Sequence, residues 1–359
     1  MIKKRLYEID ILRFLAAIMV VAFHYTINTK SYNHIYPIDN KFLTPIFLHG
    51  NSGVLLFFII SGFVILMSAQ AESPMTFLRS RFVRLYPAFL PAIIFTFIIG
   101  RAFIPFYTAG IKDLIVNATL VGLFANWRLH IQLVAGVSWT LMIEMQFYLF
   151  IFILMQLRQL DNIRTFLVAW LVLSIATYYG EAHYPNISAF YFVRLLFVTE
   201  HSYYFIAGCY FYLIKYQQKK LDLLMPAICL VVKLLCYDVK APGQIDTLTV
   251  VFNVLFFLVF YMISLRDFTF NKGKETIKAL GAITYPLYLI HELLGVALFS
   301  ALLPYVNAPL LFVMLITFAV LLAYLFNKFI ETPITSKLRQ WMLPEKSPVV
   351  SKPKKEVIA

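Results

Sequence analysis

The feature that most constrains this chain is the recurrence of apolar runs of roughly 17 or more residues along its whole length. Such a run is long enough to cross the ~30 Å hydrocarbon core of a bilayer as a helix that rises ~1.5 Å per residue. In lipid every backbone N–H and C=O must find its partner within the protein, so these runs are read as helices rather than loops or open strands. Composition agrees, with 61% of residues apolar and 14% charged. The expected fold class is an all-α integral membrane protein.

Runs bounded by charge, Pro and Asn give about ten spans, near residues 12–28, 52–70, 86–105, 138–157, 164–180, 190–214, 221–237, 246–265, 279–302 and 307–329. The segment 112–127 is only moderately apolar and reads as an interfacial or re-entrant helix. Counted as a full span, it would invert everything after it. The start "MIKKRLYEIDILRFL" has the basic opening of a signal peptide, but Arg13 interrupts its apolar stretch and no small-x-small cleavage site follows, so it is expected to stay as the first span.

Lys and Arg set the orientation through the positive-inside rule. With the N-terminus inside, the cytoplasmic segments hold Lys3, Lys4, Arg5 and Arg13; Arg79, Arg81 and Arg84; Arg158 and Arg164; Lys215, Lys219 and Lys220; and Arg266, Lys272, Lys274 and Lys278. The opposite side holds Lys30, Lys41, Arg101, Lys112, Arg128 and Lys240. Both termini are therefore expected in the cytoplasm. Residues 1–335 form the membrane domain, and 336–359 a basic tail that begins amphipathic and ends polar and disordered.

The net charge of +13 is a topology signal on this reading. Its cations lie in short stretches between apolar runs, not in patches interleaved with aromatics, so no nucleic-acid partner is expected. The three cysteines, Cys209, Cys229 and Cys236, all sit in apolar segments without metal-ligand or redox spacing. They are expected to be packing residues, with no disulfide framework and no zinc site.

Ionisable groups inside the spans are costly unless partnered or useful. In "DILRFLAAIMVVAFHY" there are three: Asp10, Arg13 and His24. His24 follows Arg13 by eleven positions, which returns it to within about 20° of the same helical face and roughly 16 Å further along the axis. Asp10 is three residues before Arg13, a spacing at which the two can pair. Glu144 lies about 9 Å into the fourth span from the outer side and His291 about 18 Å into the ninth from the cytoplasmic side, so His24, Glu144 and His291 can share a depth. Ser61 in "FFIISGFVIL" and Trp139 in "VSWTLMIE" come to similar levels. Ser61 and Trp139 also suit plain interhelical hydrogen bonds, whereas buried Glu and His together suit proton transfer. Depth alone leaves a transporter's proton relay and general-base catalysis equally open.

A second constellation is "FLRSRFVRLYPAF". Arg81 and Arg84, three apart on one helical face, present forked guanidinium groups suited to phosphate oxygens. An ordinary positive-inside loop would also place Arg here. Pro87 reads as a start signal in the first turn of the third span.

These motifs together resemble the acyltransferase family 3 integral membrane proteins, which include O-antigen, exopolysaccharide, Nod-factor and macrolide acyltransferases. In order they are "EIDILRFLAAIMVVAFHY", "GNSGVLLFFIISGFVIL", "RFVRLYPAF", "FANW" with "GVSWTLMIEMQFYLF", "LGAITYPLYLIHELL" and "FIETPIT", across roughly residues 7 to 335. The stretch 160–275 carries little of the resemblance. It implies transfer of an acyl group, usually acetyl, from cytoplasmic acyl-CoA to a hydroxyl of a carbohydrate or similar acceptor, often at the outer face. It also implies that His24 and Arg13 are the functional pair, Arg81 and Arg84 the Arg-x-x-Arg pair, and Glu144 the carboxylate after the Ser-Trp motif. Tyr285, Tyr288 and His291 match a conserved later span, with Thr284 where many members have Ser. Some members carry a fused esterase-like domain; none is expected here, so this chain would complete the transfer itself or use a partner protein of envelope biosynthesis.

The activity expected is O-acetylation in the inner (plasma) membrane, with acetyl-CoA as donor substrate and no bound cofactor or metal. The acceptor would be lipopolysaccharide, exopolysaccharide or a similar glycan, and membrane lipid the surroundings. Catalytic roles fall to His24, Glu144 and Arg13; substrate contacts to Asp10, Ser61, Arg81, Arg84, Trp139, Tyr285, Tyr288 and His291. His24 would act as base, with Glu144 orienting it or taking its proton, or would itself be acylated and relay the group outward. The rival class is a proton-coupled transporter or flippase of an envelope intermediate using the same His and Glu residues. A glycosyltransferase is disfavoured, because no acidic cluster suits a metal and a diphosphate.

Overall fold

The computed structural model describes residues 5–120, 130–240, 246–270 and 272–343, with the side chains of 237–240 left aside. All regular structure among these residues is helical. In chain order the helices are α1 (Tyr7–Asn33), a short α2 (Leu43–Leu48), α3 (Ser52–Ala69), α4 (Pro74–Phe103), α5 (Ile111–Ala118), α6 (Ser138–Gln156) and α7 (Ile163–His183). They continue with α8 (Ser188–Phe197), α9 (Ser202–Gln217), α10 (Leu224–Lys240), α11 (Thr247–Leu265), α12 (Lys274–Leu302), α13 (Ala308–Phe326) and α14 (Thr332–Met342). A π-helical turn, Asn327–Glu331, joins the last two.

Eight helical stretches are long and apolar enough to cross a membrane: α1, α3, α4, α6, α7, α11, α12, and α13 with its continuation to Met342. About ten were expected, and the two others correspond to shorter helices. The stretch 190–214 is broken at Val198, whose left-handed φ of 51° separates α8 from α9. The 16 residues of α9 rise only about 24 Å. The stretch 221–237 becomes the 17-residue α10. Of 112–127, residues to Ala118 form α5, and 121–129 lie outside the described residues, Arg128 among them. Lys3, Lys4 and residues 344–359 of the expected tail also lie outside, while its first residues continue α14.

Two helix pairs form the inner packing: α1 lies along α12, and α3 along α9. α9 is buried from Ser202 to Ile214, so it meets protein rather than lipid. Gly62 and Gly208 permit its approach to α3: a Cβ at Gly62 would run into the Phe205 carbonyl, and one at Gly208 into the Ile59 carbonyl. Close backbone contact through small residues is the usual way for helices to associate in lipid, where burial of apolar surface supplies no drive. Cys209, Cys229 and Cys236 are buried free thiols in this packing.

The third span begins earlier than the sequence suggests. Ser73 caps α4, its hydroxyl accepting from the Thr76 amide at 3.4 Å, and Pro74 opens the first turn. Pro87 is therefore interior to the helix and is not its start. The consequence is that Arg79, Arg81 and Arg84 ride on a helix and not in a loop.

Pro286 interrupts α12 in a similar way. Lacking an N–H, it leaves the Ala282 carbonyl without its helical donor. Asn327 of the π-helical turn supplies one, its side-chain amide reaching that carbonyl at 3.3 Å.

Contacts between helix ends show which termini lie together. At one end Arg164 pairs with Asp222 at 2.6 Å, Lys215 with Asp267 at 3.0 Å and Arg84 with Glu331 at 3.5 Å, and the Tyr7 ring lies against Phe270. At the other, His49 meets Asp246 at 2.9 Å. The first is the basic end of the bundle.

Candidate active site

The basic end opens into a cavity of about 110 Å3, room for several water molecules at the ~10–15 Å3 each requires. Arg13 from α1, Ser61 from α3, Arg81 and Arg84 from α4, Glu144 and Tyr148 from α6, and Tyr285 and Tyr288 from α12 all face it. Motifs far apart in sequence thus converge on one space. Spacing explains the local part of this: Arg81 and Arg84 are three apart, and Glu144 and Tyr148 four apart, so each pair shares a helical face.

Glu144 is tightly held. Its Oε1 accepts from the Tyr148 hydroxyl at 2.6 Å and from the Ser61 hydroxyl at 2.8 Å. The arginines have partners but keep donors to spare, since a guanidinium carries five N–H groups. Arg81 donates to Ser68 at 3.2 Å and to Ser80 at 3.3 Å, with the Phe77 and Tyr148 rings beneath it. Arg84 lies 3.5 Å from Glu331 and 5.7 Å from the Tyr285 ring centre. Tyr285 itself donates to the Leu85 carbonyl at 3.3 Å.

Asp10 pairs with Arg13, as its spacing predicts, at 3.9 Å, and more closely with Arg5, whose Nε donates to it at 2.6 Å. The Asp10 carboxylate is packed against α12 at Gly281, where a Cβ would approach it to 2.7 Å. Asp10 thus sits between its two arginines and the backbone of α12, and Arg13 also lines the cavity.

His24 and His291 form a second cluster, deeper along α1. The imidazole rings lie 5.2 Å apart, edge to face. His291 is fully buried, and its Nδ1 lies 2.9 Å from the Tyr288 carbonyl and 3.1 Å from that of Leu287. Nδ1 must then carry the hydrogen, which leaves Nε2 a bare lone pair, without a partner among the described residues. Tyr288 links the two clusters. Its ring faces the cavity and lies 5.9 Å from that of His291, and its hydroxyl meets Thr140 at 2.9 Å.

The carboxylate beside His24 is not Glu144 but Glu292, whose Oε1 lies 3.7 Å from His24 Nδ1. The expectation that Glu144 orients His24 or takes its proton finds no contact between them among the described residues. Trp139 also stands apart from the cavity, packed against Phe58 and His201 with ring centres 6.2 and 5.3 Å away. Three residues of these clusters, Tyr148, Glu292 and Glu331, were not singled out from sequence. Tyr148 carried a usable signal, its i+4 spacing from Glu144. Glu331 stands in the "FIETPIT" motif. Glu292 carried only its adjacency to His291.

Among the described residues no three His, Cys, Asp or Glu side chains gather as a metal site would require. What the arrangement offers is an arginine-lined cavity and, across Tyr288, a buried histidine pair. Residues 6–328 match the model of a family described as an acyltransferase domain, acyltransferase family 3. No curated protein and no solved structure matches the chain.

Proposed function

Because the chain belongs to acyltransferase family 3, we propose that it is a membrane O-acetyltransferase that moves an acetyl group from acyl-CoA to a hydroxyl of a cell-envelope or exported carbohydrate. The observation that carries this reading is the cavity at the basic end, where Arg13, Arg81 and Arg84 face one space beside Glu144. Three guanidinium groups and one carboxylate line this space, with Asp10 and Glu331 near Arg13 and Arg84, and the planar forks keep donors that suit the phosphates of an anionic donor. The basic end is the cytoplasmic one by the positive-inside rule, the side on which acyl-CoA is found, and the membrane is then the cell inner (plasma) membrane. The carbohydrate acceptor is inferred from the resemblance to O-antigen and exopolysaccharide acyltransferases.

In this mechanism Arg81 and Arg84 hold the donor's phosphates, helped by Arg13, and its flexible arm carries the thioester inward along α1. About 16 Å of helix separates Arg13 from His24. Tyr288 lines the cavity and packs against His291, between the arginines and the histidines. A neutral His24 then takes the proton from the acceptor hydroxyl as its oxygen attacks the thioester carbonyl. The new C–O bond forms, the C–S bond breaks, and the leaving thiolate takes the proton back from His24. The products are the acylated carbohydrate and free CoA thiol.

The experiment that tests this reading compares the masses of envelope and exported glycans from cells with and without the gene. Loss of acetyl groups from one glycan is the expected result. Unchanged glycans, together with no acetyl-CoA consumption by the purified protein, would overturn it.

A further inference from the structure

The acyl-transfer mechanism above leaves Glu292 without a task, yet it is the acid that faces His24. We propose that Glu292 is the positioning residue for His24: it holds the imidazole with Nδ1 protonated and Nε2 free to act as base. This inference rests on the acyl-transfer reading.

Glu292 is itself fixed in place. The Val137 amide donates to its Oε2 at 2.9 Å, which leaves Oε1 for His24 Nδ1 at 3.7 Å. That amide belongs to the turn before α6, so the carboxylate ties α12 to α6 while addressing a side chain of α1. Room for it is made by Gly136, where a Cβ would run into Glu292 Oε1. Both side chains are largely shielded, His24 at 19% and Glu292 at 15% exposure.

His291 cannot serve the same purpose. Its Nδ1 is committed to the backbone carbonyls of Leu287 and Tyr288, and its ring meets His24 edge to face. Among the described residues no Lys or Arg forms an ion pair with Glu292. A carboxylate at this depth is expensive unless it is used. A contact of 3.7 Å is longer than a hydrogen bond, and such contacts commonly tighten only when substrate is bound.

The division of labour follows from imidazole chemistry. With the Nδ1 hydrogen directed at the carboxylate, the lone pair is confined to Nε2. When Nε2 takes the acceptor's proton, the imidazolium formed is stabilised by the Glu292 charge, and the same proton then passes to the departing thiolate. Glu292 touches neither the thioester nor the acceptor.

The test uses the purified full-length protein in lipid nanodiscs, radiolabelled acetyl-CoA, and envelope glycan from cells lacking the gene as acceptor. Glu292→Gln preserves shape and can still accept from Val137, but it presents a neutral amide to His24. Its kcat should fall about 100-fold, the scale of general-base assistance, while KM for acetyl-CoA stays within about twofold. Combined with His24→Ala it should cost nothing beyond His24→Ala alone, since residues that act as a unit are not additive. Glu292→Gln with the wild-type kcat, a change confined to KM, or a loss that adds in full to that of His24→Ala would overturn the proposal. Should Glu292→Gln fail to fold, Gly136→Ala crowds the carboxylate without removing it. It should lower kcat about tenfold at unchanged KM, and the full wild-type rate would count against the proposal. If the wild type transfers no label, it is the acyl-transfer reading itself that fails, and this inference with it.

Discussion

Arg81 and Arg84 both reach the cavity because three residues on an α-helix return to nearly the same face. Each has a partner, Ser68 for Arg81 and Glu331 for Arg84, that holds the side chain extended without using all its donors. Replacing both by Ala removes charge-assisted hydrogen bonds worth ~1.5–3 kcal/mol apiece. KM for acetyl-CoA should rise at least tenfold, with kcat at saturation little changed. An unaltered KM in a folded double variant would remove the phosphate assignment. At this scale the sequence was readable wherever the information lies within one helix. Arg13 below His24 on α1 and the Arg81–Arg84 pair follow from spacing alone. Glu292 does not, because its partner is on α1 and its anchor is before α6, and nothing in a linear sequence says that these three segments meet. For the same reason depth suggested Glu144 as His24's acid: residues can share a level in the membrane and still face different neighbours.

Among the elements, the junction at Asn327–Glu331 shows how a helix break is made harmless. Asn327 donates to the Ala282 carbonyl that Pro286 leaves free and, at 2.7 Å, to Glu331, whose other oxygen faces Arg84. π-Helical turns gather at functional sites, and this one connects a proline break in α12 to an arginine of the cavity. Asn327→Ala leaves the part-buried Ala282 carbonyl and the buried Glu331 carboxylate each short of a donor, at a cost of roughly 1–3 kcal/mol. Thermal unfolding of the purified variant should show a lowered Tm, and wild-type stability would contradict the role given to Asn327. The stretch 190–214 joins two apolar runs across the polar Thr199, Glu200, His201 and Ser202; the helix breaks at that interruption, with Val198 in the left-handed region. The early start of α4 escaped the sequence reading, since Pro87 was read as a boundary although α4 accommodates it in its interior.

For the whole molecule, hydropathy carried the fold class, because a long apolar run has only one way to satisfy its backbone in lipid. Which helices pack together was not readable, since it depends on close approaches such as Gly62 against Gly208. The two ends of the bundle also differ in charge, and the less basic one carries a titratable clasp. Asp246 caps α11, its carboxylate accepting from the Leu248 and Thr249 amides and the Thr249 hydroxyl, and it meets His49 from the segment before α3. Partial burial works to raise its pKa, but the hydrogen bonds from Thr249 and the contact with His49 outweigh it and hold the group at about 2. A depressed carboxylate contributes stability that is complete above its ordinary value near 4 and fades as the pH falls toward 2. Asp246→Asn should therefore lower Tm near pH 7, with the difference from wild type shrinking between about pH 5 and pH 2. A difference independent of pH would contradict this.

In the proposed mechanism His24 is the base on which acyl transfer from a donor held by Arg81 and Arg84 depends. This role is tested most directly by restoring either wild-type protein or His24→Ala, at equal membrane abundance, to cells lacking the gene and measuring acetyl groups on their envelope glycans by mass spectrometry. The wild type should restore the acetylated mass and His24→Ala should not. Full acetylation by His24→Ala would contradict this role.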